Sequence, residues 1–243
     1  MIGPIMGVTL RALLGRRRTL LMLLLTLTPV LIAVLVRVAG RPPDPVQLSS
    51  DLLDTLVVGA ILPLAALIFG TAALGSELDD GTAVYLLTKP IPRWQIVAAK
   101  VTAAAGLTIL FVVPAAIVSG LLIAGDQDGG VRITLAYAAG AIVAAVVYST
   151  LFVALSTVTS RALIVGLIYA LLWEGLLAGL FAGTRILSVR EYALGIAATI
   201  DGSGRIDAGL DTISAVGLAA VVFVALSLLA VERLSSYEVR SGD

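Results

Sequence analysis

Few residues in this 243-residue chain could take part in a chemical reaction, and they lie in two regions. Glu174 is the only acidic residue inside a long apolar stretch, where a carboxylate can serve as an acid, a base or a proton site. A second group of charges lies between residues 76 and 100, where acidic side chains come first and basic ones follow. The chemistry open to the chain depends on these two places and on the partner residues that are absent.

The chain has no histidine and no cysteine. This composition excludes zinc sites with the usual ligands, Ser-His or Cys-His nucleophile pairs, and disulfides. No GxxxxGK[ST] sequence occurs, so a P-loop of this chain cannot bind a nucleotide phosphate. Sixteen basic and sixteen acidic residues cancel, which leaves no basic field for nucleic acid. We expect a protein with no metal, cofactor or catalytic site of its own.

The remainder of the chain is strongly apolar: 59% of the residues are hydrophobic and only 13% are charged. Six long stretches contain no charge or, in one case, only Glu174, and each approaches or exceeds the roughly 18 residues that a membrane-crossing helix needs. Backbone polar groups must be satisfied within the segment in lipid, so these stretches predict helices and not strands. The predicted spans are 19–36, 55–76, 101–125, 133–160, 162–184 and 212–231.

These spans predict an all-α membrane protein with a single transmembrane domain over residues 1–243. An even number of spans places both termini on one side, and ten of the sixteen basic residues fall on that side, the cytoplasmic one. A cleaved signal peptide at the N-terminus is the alternative. The apolar run over 19–36 is longer than the apolar region of a typical signal, and poor cleavage residues follow it.

A short amphipathic helix is predicted before the first span, over residues 2–16. It would lie in the inner membrane interface and meet the first span at a sharp bend. The alternative is a cytosolic extension of that span. Thr9 falls off the apolar stripe. The residues that form the stripe at helical spacing are Ile2, Ile5, Met6, Leu10, Leu13 and Leu14.

The segment between spans two and three predicts a short cytoplasmic helix over 82–88. Asp80 can complement the start of this helix, and Pro90 and Pro92 prevent its continuation. An exposed apolar cluster on such a helix is typical of a partner-binding site, and the alternative is that it folds back onto the bilayer surface. The cluster consists of Tyr85, Leu86 and Leu87.

Residues 192–200, between spans five and six, are apolar but too few to cross a membrane. This run predicts a re-entrant outer segment, and the alternative is a helix resting on the membrane surface. A carboxylate is costly in lipid, so Glu174 should face the bundle interior or a wet cavity. Gly175 and Gly179 form a small-residue ridge that lets another helix approach. We expect these three residues to line a translocation path or a dimer contact; a structural hydrogen bond is the alternative for Glu174.

The layout of the chain and one loop resemble the membrane subunit of ABC-2 type transporters. The resemblance in specific residues is sharpest over 77–100, which is similar to the family pattern E-x-x-x-G-T-x-x-x-L-L-x-x-P-x-x-R followed by a lysine. The Leu-Trp-Glu that ends at Glu174 is also similar to a motif of bacterial members. The matching loop residues are Glu77, Gly81, Thr82, Leu86, Leu87, Pro90, Arg93 and Lys100.

The resemblance implies a permease that pairs with a second copy or a close relative and with two ATP-binding-cassette ATPase subunits, which hold ATP-Mg. It implies ATP-driven export of an amphiphilic substrate through the inner membrane of a bacterium, in contact with membrane lipid. The cytoplasmic helix would be the coupling helix that docks on the ATPase. The residues given this role are Glu77, Asp80, Gly81, Thr82, Tyr85, Leu86, Leu87, Pro90 and Arg93.

Two other functions use Glu174 differently. A proton-coupled secondary carrier would use it as the proton site, but such carriers usually contain internal repeats, and no clear repeat relates residues 1–125 to 126–243. A lipid-modifying membrane enzyme would use it as an acid or a base, but no second carboxylate lies within any predicted span.

Overall fold

The computed structural model describes residues 2–40, 42–79, 91–177 and 182–236, which are almost entirely helical and contain no strand. The elements, in chain order, are α1 (Ile2–Leu13), α2 (Arg16–Ala39), α3 (Pro45–Leu52), a first π segment (Leu53–Ile61), α4 (Leu62–Asp79), α5 (Arg93–Ala124), α6 (Gly130–Val158), α7 (Ala162–Ile168), a second π segment (Tyr169–Leu177), a 3-10 helix (Ala182–Leu187), α8 (Val189–Asp201) and α9 (Thr212–Ser236).

Within the described ranges, five helices are long and apolar enough to cross a membrane. The predicted all-α membrane class is therefore confirmed. A shorter apolar helix, Ala162–Gly175, lies in the predicted fifth span. The five long helices are Arg16–Ala39, Pro45–Gly75, Arg93–Ala124, Gly130–Val158 and Thr212–Ser236.

The second of these helices begins well before residue 55, where the charge pattern placed the span. The side chain of Asp44 accepts a hydrogen bond from the Gln47 backbone N–H at 3.0 Å, and Pro45 occupies the first turn. Both features favour a helix start at this point. As a result Asp54 lies inside the helix rather than in the preceding loop.

The helix α1 is separate from α2 because the backbone at Gly15 is extended, with φ −57° and ψ 137°. It packs against α4 and α5. Leu13 and Thr9 are both buried, whereas Leu14 is 45% exposed. The buried face is therefore rotated from the predicted stripe, which left Thr9 out and included Leu14.

The helix α6 forms the centre of the bundle and contacts α4, α5, α8 and α9. Small residues permit this close packing. A Cβ added at Gly140 would lie 2.4 Å from the Ala193 carbonyl oxygen on α8, and one at Gly70 on α4 would lie 2.8 Å from Phe152 Cβ on α6. In contrast, α2 and α9 expose much of their apolar surface, as expected of helices that face lipid.

The first π segment ends just before Pro63. Proline has no N–H to donate and its ring clashes with the carbonyl four residues earlier, so an α-helix kinks or adjusts its turns at such a point. The Leu62 N–H instead bonds to the Val57 carbonyl, five residues back. The wider turn is a π-helical response to the proline.

Candidate functional site

Glu174 lies in the second π segment and is 1% exposed. Its Oε1 accepts hydrogen bonds from the Tyr169 hydroxyl at 3.0 Å and from the Val189 backbone N–H at 2.8 Å. Its Oε2 accepts the Ser188 hydroxyl at 2.6 Å. All three partners are donors, which matches the acceptor-only chemistry of a carboxylate and satisfies this group in the bundle interior.

Two of the three partners of Glu174, Ser188 and Val189, form the start of α8. Ser188 is the N-cap of this helix, and its Oγ also accepts the Glu191 backbone N–H at 3.3 Å. Val189 is the first helical residue, so its N–H has no partner within the helix. A carboxylate at this end of a helix is stabilised by the helix dipole. Glu174 therefore fixes the N-terminus of α8 to the second π segment.

A second polar contact holds the same end of α8. Arg190 donates from Nη2 and Nε to Asp54 Oδ1, at 2.8 and 3.1 Å. Asp54 belongs to the first π segment, and both side chains are about a quarter exposed. The N-terminus of α8 is thus bound to both π segments, which also contact each other. Such segments occur frequently at functional sites.

The opposite end of α8 is held by a cation. Arg132, near the start of α6, donates from Nε to the Ile200 carbonyl at 2.9 Å. The helix ends at Gly202, which has φ 59°, a conformation that favours glycine. A cation at the C-terminus complements the helix dipole as Glu174 does at the N-terminus. Arg132 therefore complements the C-terminal end of α8, and Glu174 the N-terminal end.

The other predicted site residues lie elsewhere. Gly175 is exposed, and among the described residues a Cβ there would meet the Ala170 carbonyl oxygen alone, at 3.8 Å. Arg93 begins α5, while Lys100 is buried on the same helix. Glu77 is on α4, but its side chain is outside the described residues. Also outside them are Gly179, Asp80, Gly81, Thr82, Tyr85, Leu86, Leu87 and Pro90.

The site around α8 and the end of α4, which precedes the predicted coupling loop in the sequence, are at opposite ends of the bundle. Between Asp54, next to Arg190, and Gly75, near the end of α4, 21 residues of continuous helix correspond to about 30 Å. That distance matches the hydrocarbon thickness of a bilayer. Within the described parts of the chain, no group of three or more metal-ligating side chains occurs.

Sequence reasoning identified Glu174 but not Ser188, Asp54 or Arg190. A usable signal was present for Ser188, because Ser188-x-x-Glu191 has the spacing of a capping box. In a complete capping box the Glu191 side chain would accept the Ser188 backbone N–H. Here Glu191 Oε2 accepts the Gly209 N–H instead, at 2.8 Å. No comparable signal pairs Asp54 with Arg190, which are 136 residues apart.

A bundle of long apolar helices, with a short buried helix held by charges at both ends, defines a multi-pass membrane protein. A family model described as "ABC-2 family transporter protein" matches residues 15–188, more than two thirds of the chain. The chain belongs to this family and is a permease subunit of an ABC transporter. The matched range includes Glu174 and ends at Ser188, the N-cap of α8. A comparison with curated proteins finds no match.

Proposed function

We propose that this permease exports an amphiphilic substrate across a bacterial inner membrane, driven by two copies of a separate ATPase subunit that bind ATP-Mg. A second permease copy, or a close relative, would form the other half of the pathway. The observation that carries the proposal is the family match over residues 15–188. The proposal assigns no catalytic step to the chain itself.

A six-span arrangement with both termini in the cytoplasm is part of the proposal. In this proposal the five long apolar helices and the shorter Ala162–Gly175 would be the six crossings. Gly175 is followed by further chain before Ser188, so the fifth crossing need not end at that glycine. The concentration of arginine at 16–18 and 161 supports a cytoplasmic location for that end of the bundle.

We assign the ATPase contact to the segment 80–87. Together with its flanking residues, this segment connects α4 to α5. The segment itself lies outside the described residues, and its role rests on the family pattern. Its flanks support the assignment, because α4 ends at Asp79 and α5 begins at Arg93, both on the cytoplasmic side in the proposed topology. Trp94 is 56% exposed there, as expected of an interfacial anchor.

We assign the re-entrant outer segment to α8. The 13 residues of Val189–Asp201 span about 20 Å, too short for the roughly 30 Å of hydrocarbon. The burial of Tyr192, Ala193 and Ala197 supports a place for this helix within the bundle. It packs against α6 and α9. Glu174 would act on the translocation path by holding this segment in place.

An amphiphilic substrate is supported by an apolar cleft beside α8. The cleft offers about 290 Å³ between α6, α8 and α9, and aliphatic side chains and one phenylalanine form its walls. Such a surface accommodates an alkyl chain and provides no polar group that could recognise a small anion. Representative wall residues are Ile142, Val146, Ile196, Val216 and Phe223.

Co-purification with the cognate ATPase tests the proposal. The tagged chain is co-expressed with that ATPase and purified in detergent, and the amount of bound ATPase is measured. Replacing Leu86 and Leu87 with Asp is expected to release the ATPase, because two charges would be buried in an apolar contact. The matched control, Ser235→Asp with Ser236→Asp, adds the same charges at exposed positions of α9 and should retain it. Equal ATPase retention by both double variants would contradict the assignment.

A further inference from the structure

A cleft opens at the end of the bundle opposite α8. It lies between the first turn of α2, the second half of α4 and the connection from α6 to α7, and offers about 210 Å³. We call it the Arg18 cleft. The residues of its wall that matter here are Arg18, Ile68, Thr71, Thr159, Ser160 and Leu163.

The wall of the Arg18 cleft combines polar and apolar groups. The Thr159 hydroxyl oxygen accepts the Arg161 backbone N–H at 3.2 Å, which leaves its hydrogen available for donation. Ser160 is exposed, and its hydroxyl has no partner among the described residues. Ile68 and Leu163 provide an aliphatic surface beside these donors. A ligand that complements both the polar and the aliphatic part of this wall has an anionic group and a hydrocarbon chain.

The charge at the Arg18 cleft is not balanced by the described part of the chain. No carboxylate is among the residues that line the cleft. Arg18, the adjacent Arg16 and Arg17, and Arg161 form no ion pair with any described acidic residue. Guanidinium groups beside apolar helices, with no carboxylate of the described residues next to them, attract an anion strongly, because the nearby hydrocarbon lowers the local dielectric.

The cleft lies at the level where the apolar membrane surface begins. On α2, Leu20 and Leu21, two and three residues after Arg18, are 58% and 56% exposed. On α7, Leu163 and Ile164, two and three residues after Arg161, are 53% and 56% exposed. Two lipid-facing surfaces therefore start at the same cleft, each preceded by arginine. Lipid phosphate groups occupy this boundary in a bilayer.

We propose that the Arg18 cleft binds the phosphate headgroup of an anionic phospholipid. Arg18 pairs with the phosphate, the hydroxyls of Thr159 and Ser160 donate to its oxygens, and the start of an acyl chain lies against Ile68 and Leu163. Free phosphate shares the anionic chemistry, but it would leave the aliphatic wall unused. The site goes beyond the proposed transport function and requires only the membrane fold.

Native mass spectrometry of the full chain, released from detergent micelles, tests this site. The probes are phosphatidylglycerol and phosphatidylcholine with identical acyl chains. The wild-type chain is expected to retain phosphatidylglycerol in preference to phosphatidylcholine, because both lipids carry the phosphate but the cationic choline cancels its charge and is repelled by the arginines. Arg18→Gln should reduce phosphatidylglycerol retention about fivefold, the effect typical of one arginine at a lipid surface. Arg18→Lys, which keeps the charge that sets topology, should retain the preference.

The matched control is Arg11→Gln, which removes one exposed arginine from α1 outside the cleft and should leave lipid retention unchanged. Equal losses in Arg11→Gln and Arg18→Gln would overturn the site, as would equal retention of the two lipids by the wild-type chain. Displacement of the lipid by an equal concentration of inorganic phosphate would show a free-anion site instead. None of these measurements involves the ATPase, so they remain decisive if the transport proposal fails.

Discussion

The Oε1 atom of Glu174 lies 2.8 Å from the backbone nitrogen of Val189, the first residue of α8. This contact brings the acidic residue of the fifth apolar stretch to the positive end of a short buried helix. Arg190, the next residue of α8, binds Asp54 on a different part of the bundle. The position of α8 therefore depends on two charged contacts that tie it to the two π segments.

Replacing Glu174 with Gln is expected to loosen the start of α8. The amide keeps the shape of the side chain, but its NH₂ group would face one of three donors, and the charge at the helix terminus would be lost. An unsatisfied buried polar group costs about 1 to 3 kcal/mol. Hydrogen exchange of the amides in 189–192 should accelerate by about tenfold or more, because local opening becomes easier.

Glu232→Gln is the control for this variant, since it makes the same chemical change at an exposed position of α9. In Glu232→Gln, the hydrogen-exchange rates of the amides in 189–192 should equal those of the wild-type protein. Unchanged exchange in Glu174→Gln would mean that the carboxylate does not hold α8.

How far the site could be predicted from sequence differs between its residues. Glu174 was found because a carboxylate within a long apolar stretch needs a polar partner wherever the helix packs. Asp54 is not predictable in the same way, because a charge normally marks the end of a span, whereas the helix continues through Asp54 from Pro45. Its partner Arg190 is distant in sequence, and only the packing of α8 brings the two together.

The fold was predictable to the extent that it depends on composition and length. Apolar runs must become helices in lipid, which is why the all-α class followed from charge positions alone. The π segments could not be predicted from composition and length, because they arise from how a helix adjusts to Pro63 and to its neighbours. The rotation of α1, which buries Thr9, depends in the same way on the shape of α4 and α5.

The ion pair between Asp54 and Arg190 should stabilise the fold measurably. Both side chains are partly buried and the closest atoms are 2.8 Å apart. A double-mutant cycle with Asp54→Asn and Arg190→Gln, measured by unfolding in detergent, should give a coupling energy of about 1 kcal/mol.

The pair of Arg37 and Asp126 provides a comparison, because it is more exposed and its atoms are 3.6 Å apart. Its coupling energy should be smaller, within about 0.5 kcal/mol of zero. If the two cycles gave equal values, Asp54 and Arg190 would not contribute specifically to the position of α8.

The close approach of α6 and α8 predicts that Gly140→Ala is strongly destabilising. The new Cβ would lie 2.4 Å from the Ala193 carbonyl oxygen, and backbone atoms on α8 cannot yield without moving the helix. Overpacking of this kind costs about 1 to 3 kcal/mol, seen as a lower Tm in detergent.

Gly106→Ala makes the same change on α5, where no atom of the described residues lies within 4 Å of the new Cβ. Alanine is the better helix former, so this variant should be more stable by about 0.5 to 1 kcal/mol. A similar loss of Tm in both variants would argue against backbone contact between α6 and α8.

ATP hydrolysis by the chain and its cognate ATPase, reconstituted together in proteoliposomes, tests the transport account most directly. We predict that hydrolysis depends on the permease. The Leu86→Asp, Leu87→Asp variant should lower it about tenfold, equivalent to a coupling loss of about 1.4 kcal/mol, while Ser235→Asp with Ser236→Asp leaves it unchanged. Hydrolysis that is identical with and without the chain, together with proton-driven transport by the chain alone, would contradict the account.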